Sequence, residues 1–319
     1  MRAIIAHDKK PTFVDIPDPI PASNEVLIAV HATALNRADL LQVMGLYPPP
    51  AGSPETLGLE LAGEIIALGE NVKRWRVGDK VMALVGGGGY AEKAVVCADH
   101  CMPVPIGMTY EQATAIPEVF LTAYSNMIVM AGLKDNECVL IHAGASGVGL
   151  AAIQLAKLVG AKVIVTASAS KHEVCYANGA TIAIDYKTEN FADKILQDSD
   201  GVNVIVDMVG APYWQDNFRV IENWGRWVFI STQGGNKVEL NIGQLMKKRL
   251  SLMGATLRDR TDAEKMRLVT DFESWAMPHF DAGALRPNIF TVQNWEDVGK
   301  AHDMMRQNLN AGKIVLKIR

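Results

Sequence analysis

The stretch Val139-Leu-Ile-His142-Ala-Gly144-Ala-Ser146-Gly147-Val148-Gly149, continuing into Leu150–Val159, constrains this chain more than any other. Its short apolar, β-branched start predicts a buried parallel strand. The glycines then turn the chain, and Leu150, Ile153, Leu155, Leu158 and Val159 form one apolar helical stripe. Gly160 follows the helix, and Val163-Ile-Val-Thr166 begins a second strand. Strand, glycine turn, helix and strand within about thirty residues is the layout that a dinucleotide site requires. Gly144 and Gly149 take the outer glycine positions of a G-x-G-x-x-G pattern whose middle position is Ser146, with Gly147 next to it. Absent side chains permit the tight turn, and the helix N-terminus offers N–H groups and a positive dipole end to a pyrophosphate. Ser146 can hydrogen-bond a cofactor or line the adjoining pocket. A tight strand–helix turn that binds nothing is the alternative.

A length of 319 residues suits two domains. With 49% apolar and 21% charged residues, a folded soluble protein is expected; a net charge of −4 without a basic block speaks against nucleic acid as a partner. Cys97, Cys101, Cys138 and Cys175 are few enough for a reducing compartment. Met1–Lys10 has no long apolar run of the signal-peptide kind, so a cytoplasmic protein is expected. Residues 138–156 are uncharged, yet their glycines, His142 and Gln154 predict strand and helix, not a membrane span.

Upstream of this unit, short glycine-punctuated strands over residues 1–81 predict a partly open β-barrel-like domain. Gly86-Gly-Gly-Gly-Tyr90 reads as a loop. Thr109 and Gln112 have capping-box spacing. Pro117 interrupts the helix they start, and Val119–Leu133 is expected as a second helix. From 138 to 256, β and α elements alternate, which predicts a parallel sheet covered on both faces. Within it, a helix is expected from Pro212 to about Asn223. Arg226–Ile230 and Leu250–Ala255 are expected edge strands, and an identical subunit covering them would make a homodimer. The tail, with a helix over Asp262–Met277 and a final strand over Lys313–Ile318, is expected to return to the first domain. The expected domains are thus 1–118 with 262–319, and 119–261.

Ala34-Leu-Asn36-Arg-Ala-Asp39, Gly58-Leu-Glu60-Leu-Ala-Gly63, Val77–Val81, His142–Gly149 and Gly312-Lys-Ile-Val-Leu316, in this order and spacing, resemble the medium-chain dehydrogenase/reductase superfamily. Within it they resemble the quinone oxidoreductase (zeta-crystallin-like) branch, over essentially the whole chain. The resemblance implies an α/β fold, a Rossmann-type doubly wound parallel sheet domain beside a partly open β-barrel-like (GroES-like) catalytic domain. Zinc-dependent alcohol dehydrogenases of the superfamily bind catalytic zinc through a cysteine of the first motif and the histidine of G-H-E-x-x-G. Here those positions hold Asn36 and Leu59, which cannot replace a thiolate and an imidazole. The family's run of four structural cysteines is missing too, and Cys97-x-x-His100-Cys101 falls short of four ligands. No metal is expected. Without a Lewis acid an unactivated alcohol has no obvious route to oxidation. Quinones and conjugated carbonyls accept hydride more easily because the product anion is delocalised, with solvent supplying the proton.

The second strand ends Thr166-Ala-Ser168-Ala-Ser170-Lys171-His172, with no carboxylate before Glu173. An NAD-selective site carries Asp or Glu there, whereas hydroxyls and a cation suit a 2′-phosphate, so NADPH is the expected cofactor. By resemblance, Gly144, Ser146, Gly147, Val148 and Gly149 cradle it, and Ser168, Lys171 and Tyr186 contact the adenosine phosphate. His172 competes with Lys171 for that role, and Asn310 aligns with a further cofactor-contacting region. The same resemblance places a substrate pocket in the cleft between the domains, with Asn36, Tyr47 and Ser146 as its polar groups. Alternatively, Tyr47 is a surface loop aromatic and Asn36 satisfies backbone groups. Arg258 either orients the acceptor or, more simply, is solvated. The expected activity is zinc-independent, NADPH-dependent reduction of quinones. The alternatives are an alkenal, enone or enoyl-thioester double-bond reductase, and a non-catalytic NADPH-binding sensor or structural protein.

Overall fold

Six parallel strands lie in the order Ile182–Asp185, Lys162–Ala167, Cys138–Ile141, Val202–Asp207, Ile221–Phe229 and Ser251–Gly254 in the computed structural model, which describes residues 1–319 except the side chain of Asp198. Val139, Leu140, Ile141, Val163, Ile164, Val165, Val204, Ile205 and Val206 are all solvent-free. Burial on both faces explains why these strands read as unbroken apolar runs with no alternation. The two strands after Cys138–Ile141 lie on one side of it and the last three on the other. That reversal is the switch point where open α/β sheets bind ligands, outside the carboxyl ends of the strands. The sheet belongs to the compact unit Thr122–Thr256; Met1–Leu121 and Leu257–Arg319 together form the other.

Three expectations within the sheet unit need correction. Ile221–Phe229 has a partner on each side, so Arg226–Ile230 is internal and only Ser251–Gly254 lies at that edge. The reason is Trp227, fully buried against Trp214 at 4.8 Å between ring centroids. The helix after Pro212 runs only from Trp214 to Val220, because buried Ile221 already belongs to the sheet. Val119–Leu133 is not one α-helix: Pro117–Ala123 is α-helical and Tyr124–Met130 is π-helical. The Ala131 N–H reaches back five residues to the Asn126 carbonyl at 2.9 Å. The extra residue per turn carries Ser125, Asn126 and Met127 inward, an irregularity that a 3.6-residue periodicity does not register.

In the other unit, seven strands run Ile289–Asn294, Lys313–Lys317, Glu25–Ala34, Glu60–Leu68, Lys80–Leu84, Cys101–Pro103, with Lys93–Cys97 also pairing to Glu25–Ala34. Only the first pair is parallel, so the sheet is mixed and curls without closing. Register shifts along Glu25–Ala34 mark where it bends, at Leu27/Ile28 and Val30/Ala32. Helix Asp262–Asp281 runs past the expected stop at Met277, through Pro278 in its last turns. Among the described residues no helix is long and apolar enough to cross a membrane.

Helix Val298–Arg306 buries Val298, Ala301 and Met305 against Leu35, Leu40 and Tyr90, and carries His302 with them. That imidazole is 1% exposed and neither ring nitrogen has a hydrogen-bond partner. Burial, with help from the Arg306 charge, pushes its pKa down to about 4. The unfolded chain therefore binds a proton below about pH 6.5 that the fold refuses until about pH 4, so this one group removes about 3 kcal/mol of stability through that window and nothing further beneath it. Urea unfolding between pH 7 and 4 should show the stability of His302→Phe rising relative to that of the parent chain as the pH falls.

Candidate active site

Ser146 is the N-cap of helix Gly147–Val159, and its Oγ accepts the Gly149 N–H at 3.0 Å. The serine that interrupts the glycine pattern therefore serves the helix itself. Its hydroxyl donates on to Met208 Sδ at 3.7 Å, at the end of the neighbouring strand. The N–H groups of Gly147 and Val148, in the first turn, have no acceptor upstream in the helix. A Cβ on Gly149 would sit 2.5 Å from the carbonyl oxygens of Ala143 and Gly144, and one on Gly144 only 2.6 Å from Val165 Cβ. The backbone approaches itself so closely here that only glycine fits.

Behind the turn lies a buried polar chain that sequence reasoning missed. His142 contacts Thr166 Oγ1 through Nδ1 (3.0 Å) and Asn217 Oδ1 through Nε2 (2.8 Å). Asn217 Nδ2 and Trp227 Nε1 both donate to Asp207 Oδ2, at 3.2 and 3.1 Å. Asp207 Oδ1 accepts the N–H groups of Val209 and Gly210, shaping the turn after its strand. Burial lowers the His142 pKa against the opposing pull of Asp207, so the ring is neutral. The only sequence signal was a histidine at the mouth of an otherwise apolar strand.

Ser168 and Lys171 follow strand Lys162–Ala167, and half-exposed Tyr186 follows Ile182–Asp185. With the glycine turn, they leave the carboxyl ends of three adjacent parallel strands, so these predicted residues share one end of the sheet. His172 Nε2 is 3.0 Å from the Ala167 carbonyl oxygen, so one of its two ring nitrogens is engaged by the backbone. Helix-start N–H groups, a hydroxyl and an ammonium at one end of the sheet fit the phosphates of a nicotinamide dinucleotide.

In the other unit, Asn36 caps helix Arg37–Val43, its N–H donating to Asp39 Oδ2 at 2.7 Å. Its side chain does more than satisfy backbone. Asn36 Nδ2 donates to Glu60 Oε1 (2.8 Å) and, more weakly, to the Ala34 carbonyl (3.3 Å), while Oδ1 accepts from Lys313 Nζ (2.7 Å). Lys313 also holds Glu60 Oε1 at 2.7 Å and the Leu35 carbonyl at 2.6 Å, inside the protein. Glu60 Oε2 accepts the Glu118 N–H at 2.8 Å. Asp39 receives Gly58 N–H and the Tyr90 hydroxyl, both at 3.3 Å, and burial pushes its pKa up to about 6. Leu59 packs in the apolar interior. His100 Nε2 contacts the Asp262 carbonyl and Cys101 Sγ the Cys97 carbonyl, so these side chains serve the backbone. Among the described residues no group of three or more His, Cys, Asp or Glu is arranged to hold a metal ion.

Arg258 is not solvated; it is 5% exposed. Its guanidinium donates to Gln42 Oε1 (2.7 Å), the Gly86 carbonyl (2.7 and 3.0 Å) and the Tyr47 carbonyl (3.1 Å), and lies 5.1 Å from the Tyr47 ring centroid. It thereby ties the start of the glycine run to the Tyr47 loop. Burial raises the Tyr47 pKa, so its phenol stays a donor. Asn310 Nδ2 donates to the Gly312 carbonyl at 2.7 Å.

Both units of the chain are similar to known proteins. Residues 22–106 match the alcohol dehydrogenase GroES-like domain and residues 147–272 the zinc-binding dehydrogenase domain. The synaptic vesicle membrane protein VAT-1 homolog of Danio rerio is 33% identical over 97% of this chain and 67% of its own length. Quinone oxidoreductase of Sus scrofa is 31% identical over 95% of this chain and 92% of its own. The crystal structure of Escherichia coli quinone oxidoreductase complexed with NADPH superposes with a TM-score of 0.89 at 26% identity, covering 99% of both chains.

A methyl group at Gly149 must push the helix away from the turn. Gly149→Ala should weaken nucleotide binding at least tenfold in a fluorescence titration and destabilise the fold by on the order of 2 kcal/mol.

Proposed function

We propose that this chain, which belongs to the zinc-free quinone oxidoreductase branch of the medium-chain dehydrogenase/reductase superfamily, is an NADPH-dependent reductase of quinones. The observation that carries the reading is the pair Asn36 and Leu59 in place of thiolate and imidazole, with the Asn36 amide committed to Lys313 and Glu60. A site without those ligands is suited to acceptors that need no Lewis acid. Bound NADPH supplies a hydride.

The protein's part is binding and orientation. The first turn of Gly147–Val159 holds the pyrophosphate through the Gly147 and Val148 N–H groups. Ser168 and Lys171 take the 2′-phosphate, Tyr186 flanks the adenosine and Asn310 is a further contact. On the acceptor side, Tyr47 offers a flat ring and a protonated phenol, on a loop that Arg258 ties to the protein. The four free cysteines support a reducing, cytoplasmic location. The edge strand Ser251–Gly254, near exposed Ile242 and Met246 in sequence, supports a homodimer.

The test is an acceptor screen with NADPH and NADH, with zinc measured on the same sample. Turnover of a benzoquinone, NADPH preferred and zinc absent, is expected. Brisk reduction of an alkenal or enoyl thioester with no quinone turnover would replace this reading with the double-bond one, and tight NADPH binding without any turnover would make the protein a sensor. Lys171→Ala should raise KM for NADPH about tenfold, the loss of one charge-assisted phosphate contact, and leave KM for NADH unchanged.

A further inference from the structure

Beneath Asn36 lie three acids and one ammonium, and their hydrogen bonds are unequally shared. Glu60 has donors on both oxygens: Asn36 and Lys313 on Oε1, the Glu118 N–H on Oε2. Asp39 accepts from Asn36 N–H, Gly58 N–H and the Tyr90 hydroxyl. Lys313 is spent on Glu60, Asn36 and the Leu35 carbonyl, and Arg258 on Gln42 and the Gly86, Tyr47 and Pro48 carbonyls. No described group donates to the Glu118 carboxyl or pairs with it, although its own backbone N–H is anchored to Glu60. It is also less deeply buried than its two neighbours, which are solvent-free.

We propose that Glu118 is the proton donor to the reduced acceptor: in a cluster with one ammonium for three acids, its carboxyl is the one that accepts no hydrogen bond. Like-charged acids crowded together cannot all ionise, and the one without donors keeps its proton. Burial first, then the neighbouring Glu60 carboxylate, raises its pKa to about 8, with Asp39 acting in the same direction and Lys313 and Arg258 opposing. The charges of Glu118 and Arg258 both act on the Tyr47 phenol, so the acid shares the electrostatic surroundings of the side chain proposed to meet the acceptor. In the step, hydride brings two electrons to the acceptor and leaves it an oxyanion. The Glu118 O–H bond breaks as the product O–H bond forms, and the carboxylate left behind regains a proton from water. The assignment rests on the reductase reading above and replaces the simpler source, bulk solvent.

The test is the pH profile of kcat with a benzoquinone, measured on the intact enzyme beside Glu118→Gln and Glu118→Asp, with NADPH affinity followed by fluorescence. The parent should lose activity tenfold per pH unit above about pH 8, as the acid form disappears. Glu118→Gln should lower kcat at least tenfold, abolish that alkaline limb and leave NADPH affinity unchanged; Glu118→Asp should restore the limb. An active parent whose Glu118→Gln variant keeps both kcat and limb overturns the proton assignment alone. So does an intact limb beside a kcat lost only in step with NADPH affinity. A parent inactive on every acceptor overturns the reductase reading and this one with it.

Discussion

The buried pair of Lys313 and Glu60 holds the unit formed by Met1–Leu121 and Leu257–Arg319 in register. Taking an ammonium and a carboxylate out of water is costly, and their attraction repays that only when every remaining donor and acceptor is matched. Here the match is nearly complete. Lys313 comes from the last strand, Glu60 from a central one, Asn36 from the start of a helix, and the Glu118 N–H from the first turn of another. Four segments far apart in sequence are thus bound to one charge pair. Where zinc-dependent relatives need a thiolate and an imidazole, this chain uses the amide of Asn36 as a bridge between opposite charges.

The nucleotide unit depends on a constraint of the opposite kind, contact without charge. Gly144 and Gly149 let strand, turn and helix approach within distances that no side chain tolerates, and Ser146 closes the turn by capping the helix. Behind them, the chain from Thr166 through His142 and Asn217 to Asp207 ties together the ends of three neighbouring strands. It satisfies polar groups that would otherwise be buried unpaired beside the switch point, and this favours one geometry for the loops that follow.

Most of the fold was legible because hydrophobic periodicity and glycine placement are local signals. The strands of the parallel sheet read as apolar runs, and the helix start at Thr109–Gln112 announced itself by cap chemistry. The errors share a cause. Trp227 goes to the interior because Trp214 and Phe218 of the preceding helix cover it, Ile221 because it joins the sheet, and the π-helical turn at Tyr124–Met130 inserts a residue that no window of the sequence marks. Arg258 looked like any surface arginine. Its burial rests on carbonyls at Tyr47, Pro48 and Gly86, more than 170 positions upstream.

The amino-acid order by itself determined the nucleotide turn, the alternation that builds a parallel sheet around it, and the loss of the metal-binding side chains, since each depends on residues close in sequence or on residue type alone. Tertiary structure decided the partners of the charged groups. Whether Glu60, Asp39 and Glu118 share donors or compete for them depends on which strands and helices meet, and the energy of a buried charge is set by its neighbours in space.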